Sequence, residues 1–291
     1  MTYVARSGRG AQPQLAATVE EMRALRRRFE GSVGLVPTLG FLHEGHLSLV
    51  RAARQRDDHV VVSCFVNPTQ FGPGEDYERY PHDPERDLSL LRPEGVDAVF
   101  LPAKEEIYPE GDATFVEVAG MDDILEGAHR PGHLRGVATV VAKLLHIIQP
   151  HRAYFGQKDA QQLVVVQRMV RDLHLDIEIV ARPTVREPDG LAMSSRNVYL
   201  SPQEREAALG LSKALRQAER RFAGGERDGE RLRTAMRELI AQEPLAQLDY
   251  VSVADVETLQ ELELVGGAAL ASLAVRIGNT RLIDNVTLLP E

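Results

Sequence analysis

Val33-Gly-Leu-Val-Pro-Thr-Leu-Gly-Phe-Leu-His-Glu-Gly-His46 decides the fold, because its character changes twice along its length. The first four residues form a short, unbroken apolar run that suits a strand, and Pro37 ends it. A loop bearing Gly40 and Gly45 follows, and then Leu47-Ser-Leu-Val-Arg-Ala-Ala53 returns apolar residues at helical spacing. Strand, loop and helix in that order are the repeating unit of a parallel sheet covered by helices.

The alternation extends in both directions. Upstream, Thr18-Val-Glu-Glu21 has the reciprocal capping-box pattern, and Met22, Leu25 and Phe29 predict a helix running to about Glu30. Downstream, Val60-Val-Val-Ser-Cys-Phe-Val66 has no polar alternation, as expected of a strand covered on both faces. A helical stretch over 84–91 precedes an apolar run at 98–101, and runs at 153–155 and 177–180 flank a helical segment over 160–173. This pattern specifies an α/β, Rossmann-like parallel-sheet domain with right-handed crossovers.

After Val185 the pattern changes. Arg186-Glu-Pro-Asp-Gly190 is a turn-rich joint, and polar helices are expected over 202–222 and 228–242. Short strands follow at 250–253, 273–277 and 281–286, the last two joined by a hairpin-like Gly278-Asn-Thr280. The expected organisation is therefore a Rossmann-like domain over 1–185 and a smaller α+β domain with an antiparallel sheet over 186–291. A chain of 291 residues has room for about two such domains.

Composition narrows the function classes. With 43% hydrophobic and 26% charged residues the chain is ordinary globular material. A net charge of -9, from 43 acidic against 34 basic residues, opposes a nucleic-acid partner but leaves room for a local anion pocket. Cys64 is the single cysteine, so no disulfide framework exists and a reducing compartment fits. The first residues lack a continuous apolar segment, and nowhere do about 18 apolar residues run together. A cytoplasmic protein with no membrane span is expected.

Three segments carry chemistry. The loop over 37–46 lies between a buried strand and a helix, where backbone N–H groups and a helix N-terminus favour a phosphate. Gly40 and Gly45 permit close backbone approach, and His43 and His46 can donate to phosphoryl oxygens. His-Glu-Gly-His is not the zinc motif His-Glu-x-x-His, since its second histidine comes one residue early. Lys158 follows the run at 153–155, at the carboxyl edge where open α/β sheets bind ligands. Met193-Ser-Ser-Arg196 offers two hydroxyls and a guanidinium able to surround a triphosphate. Asn67 and Gln70 offer neutral donors and acceptors for hydroxyls and a carboxylate.

The motif Pro37-Thr-x-Gly-x-x-His-Glu-Gly-His46 resembles the signature of the pantothenate synthetase (pantoate–β-alanine ligase) family, in the nucleotidyltransferase superfamily that includes class I aminoacyl-tRNA synthetases. The same pattern continues through Phe65-Val-Asn-Pro-Thr-Gln-Phe71, Arg130-Pro-Gly-His-Leu-Arg-Gly-Val137, Phe155-Gly-Gln-Lys-Asp-Ala-Gln-Gln-Leu163 and Met193-Ser-Ser-Arg-Asn197. The resemblance implies an ATP-dependent, AMP-forming ligase that activates pantoate as an acyl-adenylate and joins it to β-alanine, with Mg2+. It further implies a homodimer, and a small domain that closes over the active site.

By that resemblance the catalytic residues are His43, His46, Lys158 and Arg196. ATP contacts are Leu39, Gly40, Phe41, Leu42, His43, Glu44, Gly45, His46, Gly156, Gln157, Lys158, Asp159, Val185, Met193, Ser194, Ser195 and Arg196. Substrate contacts are Gln70, Gln162 and Asn67, while the protein ligands of Mg2+ stay open. Leu39 stands where the family often has Met, Phe41 where it often has a smaller residue, Gln157 where Glu is common, and Ala160 where an aromatic residue is common. Two other readings remain at this point: a nucleotidylyltransferase for another small substrate, and a catalytically silent nucleotide-binding module.

Overall fold

The computed structural model describes residues 12–290, which form two compact units. The first runs as far as Asp122 and adds Arg130–Gly156 and Val165–Arg182; the second comprises Asp123–His129, Gln157–Val164 and the chain from Pro183 onward. No single cut in the chain separates them.

The first unit is built on a six-stranded sheet. Its strands are β1 (Gln14–Ala16), β2 (Val33–Thr38), β3 (His59–Cys64), β4 (Ala98–Phe100), β5 (Arg152–Gly156) and β6 (Glu178–Arg182). They lie in the order β1-β4-β3-β2-β5-β6, and every pairing is parallel. The direction of winding reverses between β2 and β5. β2 pairs with β3 along its whole length, Val33↔His59 to Thr38↔Cys64, but meets β5 only at Gly34↔Arg152 and Leu35↔Ala153. Beyond Leu35 the carboxyl ends of β2 and β5 are no longer paired, which is where a doubly wound sheet opens its ligand crevice.

The strand interiors are fully buried at Val33, Leu35, Val36, Val60, Val61, Val62, Val99 and Phe100. Helix Glu44–Arg56 covers one face with Leu47, Leu49, Val50, Ala52 and Ala53. It begins three residues before the run expected at 47, because His43 caps it and draws Gly45 and His46 into the first turn. Helix Val19–Arg26 has the expected capping box but ends before Glu30. Past Arg27 the chain tightens into turns, and the Phe29 ring stacks on His59 with centroids 4.4 Å apart. Strand β1 and the 16-residue helix His133–Ile148 had no counterpart in the sequence reading.

The second unit has a three-stranded antiparallel sheet of β7 (Ala246–Asp255), β8 (Ala269–Ile277) and β9 (Thr280–Leu288), in the order β7-β8-β9. Each strand is longer than expected, and the added residues include buried ones such as Ala254, Ala269, Ala271 and Leu288. Helices Pro202–Ala223 and Gly229–Ile240 contribute Leu211, Leu215, Phe222, Leu232 and Met236 to a core shared with Val253, Leu273 and Val275. Two distant segments join this unit through polar anchors. Glu126, 5% exposed, accepts both Nη groups of Arg281 at 2.7 and 2.9 Å and the Tyr250 hydroxyl at 2.9 Å. Gln161 accepts from the Glu126 amide at 2.7 Å and donates to the Ile124 carbonyl at 2.9 Å.

Candidate active site

The loop after β2 is held from within. Thr38 donates its hydroxyl to the Ser63 carbonyl (2.8 Å) and accepts from the Gly40 amide (3.1 Å). Gly40 and Phe41 both lie in the left-handed region, at φ 87° and 49°. Glycine suits the first of these positions. The second is fixed by Asp87, whose two carboxylate oxygens accept from the Phe41 and Leu42 amides, each at 2.7 Å. The Arg86 guanidinium lies over the Phe41 ring, 4.7 Å from its centroid. Asp87 is 3% exposed, and burial pushes its carboxyl above the usual aspartate range, partly offset by those two amides.

His43 is the N-cap of the following helix, and its Nδ1 accepts from the Gly45 amide at 3.2 Å. His46 Nδ1 in turn accepts from the His43 amide at 3.3 Å, and the two rings lie 4.0 Å apart. With both Nδ1 atoms acting as acceptors, each neutral ring carries its proton on Nε2. The pair therefore has the donor character suited to phosphoryl oxygens. Of the loop's own amides, those of Gly40, Phe41, Leu42, His43 and Gly45 have acceptors inside the loop or on Asp87. The two imidazoles add side-chain donors at the positive end of the helix. Glu44 turns its carboxylate to Arg51, which also pairs with Glu94.

The turn after β3 places the neutral residues. Asn67 is fully buried; its Nδ2 donates to Gln70 Oε1 (3.1 Å) and to the Gly136 carbonyl (3.1 Å). Its Oδ1 accepts from the Tyr108 hydroxyl (2.9 Å), the Thr69 hydroxyl (2.9 Å) and the Thr69 amide (3.3 Å). Asn67 thus acts as a brace that orients the Gln70 amide with its NH2 end turned away from Asn67. Residue 136 must be glycine for this packing, because a Cβ there would collide with the Thr69 carbonyl. Arg130 and His133 grip the same turn by the Gln70 carbonyl at 3.2 and 2.8 Å, and Arg130 also holds Glu75 through two 2.7 Å bonds.

Most of the other candidates belong to the second unit. Gly156 ends β5, and the chain continues into the 3-10 turn Gln157–Asp159. Lys158 makes a long contact with Asp159, 3.9 Å, and Gln162 lies half-buried on helix Ala160–Asp172. Val185 and Met193 are joined backbone to backbone at 3.0 Å. Ser194 caps the 3-10 turn Ser195–Tyr199, accepting from the Arg196 amide at 3.2 Å, and Ser195 is buried. Ser194, Ser195 and Arg196 therefore sit on one tight turn.

Asp87, Tyr108, Arg130, His133 and Asn285 were not singled out from the sequence for a role in the site. Among the described residues no three His, Cys, Asp or Glu side chains converge as a metal cage. That is compatible with Mg2+, which is commonly held by substrate phosphates, waters and one or two carboxylates. Cys64 is buried, with its thiol pushed up to about 12, first by burial. No described helix is long and apolar enough to cross a membrane.

The family model for pantoate-β-alanine ligase matches residues 14–287. The pantothenate synthetase of Roseiflexus sp. (strain RS-1) is 62% identical over 275 residues, covering 94% of this chain and 99% of the relative. That of Chloroflexus aggregans is 59% identical over 277 residues, covering 95% and 100%. Among solved structures, the pantothenate synthetase of Thermus thermophilus superposes with a TM-score of 0.91 at 50% identity, covering 95% of this chain and 100% of that one. The Francisella tularensis pantoate-β-alanine ligase, crystallised with β,γ-ATP and β-alanine, gives a TM-score of 0.78 at 36% identity, covering 94% and 97%.

Proposed function

This chain belongs to the pantoate–β-alanine ligase family, and from that membership and the geometry of its histidine loop we propose that it joins pantoate to β-alanine through a pantoyl-adenylate. In the first step a pantoate carboxylate oxygen attacks the α-phosphorus of ATP and pyrophosphate leaves. In the second, the amine of β-alanine attacks the mixed anhydride and AMP leaves. Mg2+ enters as part of the MgATP substrate and neutralises phosphate charge.

Each residue has a role set by its chemistry. His43 and His46 donate from Nε2 to phosphoryl oxygens as negative charge builds there. Lys158, Ser194, Ser195 and Arg196 neutralise the departing pyrophosphate, with Arg196 suited to bidentate contact. Val185 is assigned to the adenine end, and Met193 to the same nucleotide. Gln70 and Gln162 hold pantoate by its hydroxyls and carboxylate, and Asn67 serves through Gln70. The observation that carries the reading is the pair of Nδ1 acceptors, which turns both imidazoles into Nε2–H donors at a helix start. We also assign the protein to the cytoplasm and to a homodimer, the latter testable by sedimentation.

The experiment is exchange of labelled pyrophosphate into ATP with pantoate present and β-alanine absent. An adenylation that completes before the amine is needed must return label to ATP. Omitting pantoate should abolish exchange, and adding β-alanine should yield AMP and pantothenate. A phosphorylation route would release ADP and phosphate, a silent binding module would give no exchange, and an adenylyltransferase for another substrate would give none with pantoate.

A further inference from the structure

Lys158 carries its charge on a flexible stem, and its ion-pair neighbour, the Asp159 carboxylate, is 3.9 Å away, so where the ammonium can reach is set largely by where its backbone is held. The turn Gln157–Asp159 is three residues long, and so short a 3-10 segment makes few bonds of its own. Besides helix Ala160–Asp172, into which it runs directly, it is anchored from β9. Asn285 Nδ2 donates to the Gln157 carbonyl at 3.0 Å and to the Lys158 carbonyl at 2.8 Å, so both amide protons go to this turn. Asn285 is 8% exposed.

The neighbouring residue, Asp284, is 2% exposed and serves the other phosphate element. Its carboxylate accepts from both Nη atoms of Arg186, at 2.6 and 2.9 Å, and from the Asn285 amide at 2.8 Å. Arg186 also reaches the Asn285 carbonyl (3.3 Å) and the Gly190 carbonyl (3.2 Å). From Arg186 the chain folds back on itself through an Arg186↔Ala192 bridge, and Asn197 Nδ2 closes the fold on the Ala192 carbonyl and on Glu187, each at 3.1 Å. The turn bearing Ser194, Ser195 and Arg196 lies inside that closure.

We propose that Asn285 is a positioning residue for Lys158, and that the adjacent pair Asp284–Asn285 holds the Lys158 turn and the Ser194–Arg196 turn in fixed register. One strand then sets the spacing of two cationic groups contributed by segments far apart in sequence. The inference rests on the phosphate-binding roles given above to Lys158 and Arg196. A misplacement of about 1 Å, far from the reacting atoms, is enough to cost on the order of 100-fold in rate.

The test uses the full chain with Asn285→Ala, Asn285→Ser and Asn285→Asp, each alone and combined with Lys158→Ala. Radiochemical pyrophosphate exchange gives kcat and the KM for ATP, and every variant is assayed below its own unfolding midpoint. Asn285→Asp keeps the shape but sets a carboxylate against two carbonyl oxygens. It should lower kcat on the order of 100-fold, Asn285→Ala on the order of 10-fold, and Asn285→Ser, which keeps one donor, by less. With Lys158 already alanine, each change should cost less than about threefold, because no ammonium is left to misplace. A purely structural tie would lower activity by the same factor in both backgrounds, and that result overturns the proposal. So does near-wild-type kcat in a folded Asn285→Asp. Absence of pantoate-dependent exchange in the unaltered protein would instead defeat the reading of the function. Undiminished exchange in Lys158→Ala would remove Lys158 from the site and the role of Asn285 with it.

Discussion

Asp87→Ala removes the acceptor for two backbone amides of the histidine loop. Hydrogen bonds to a charged acceptor contribute roughly 1.5–3 kcal/mol each, so the bare sum for two would be about 3–6 kcal/mol. The net effect is smaller, because burial already disfavours the ionised carboxyl, whose pKa lies above the usual aspartate range. A destabilisation of about 2–4 kcal/mol is expected once that burial cost is relieved. The functional effect is separate from the loss of stability. Phe41 stands at φ 49°, a conformation that costs a non-glycine residue about 1–2 kcal/mol and that the Asp87 bonds hold in place. Released, the segment from Gly40 to Leu42 relaxes and moves the cap on which both imidazoles depend, so kcat for exchange should fall by about 10-fold or more. Asp87→Asn keeps one carbonyl acceptor but turns an NH2 toward the other amide, and should fall between wild type and alanine. Urea unfolding and pyrophosphate exchange measure the two effects separately. An alanine variant within about 0.5 kcal/mol of wild type, the range of a surface substitution, with undiminished exchange would refute the anchoring role.

His46→Ala and Lys158→Ala are each expected to lower kcat by about 100-fold or more with folding retained, the usual effect of deleting one preorganised donor to developing charge; near-normal turnover in either folded variant removes that residue from the mechanism. Gln162→Leu should damage pantoate use while leaving ATP binding intact, through about 1–3 kcal/mol for a substrate group left unpaired, and calorimetric titration of the two ligands decides it. Glu75 should supply a pH signature. Burial raises its pKa, but the Arg130 bonds and charge outweigh that and leave it lowered from 4.5. With the native value below the unfolded one, its stabilisation is fully present above about pH 4.5 and is lost as pH falls through the native value. The gap in melting temperature between wild type and Glu75→Gln, open at pH 7, should therefore close as the pH is taken below that range.

The sequence by itself determined the layered parallel sheet, the change to an antiparallel sheet, and the segments to which the phosphate chemistry is assigned. β2 and β3 could be read because strands buried on both faces appear as continuous apolar runs, and helix Val19–Arg26 because Thr18 and Glu21 form a capping box within four adjacent positions. The same local logic missed helix His133–Ile148, whose polar stripe is thin: Arg135, Thr139, Lys143 and His146 recur at helical spacing, but most of the helix is buried. The bracing of the site came only with the tertiary structure. Asp87 meets Phe41 from 46 residues away, Arg130 meets Glu75 from 55, Asn285 meets Lys158 from 127, and Arg281 meets Glu126 from 155. None of these partners shares a helical turn or a strand alternation with the residue it holds. Periodicity reports which face of an element is buried; which donor faces which acceptor across the core is fixed only when the sheet order brings distant segments side by side.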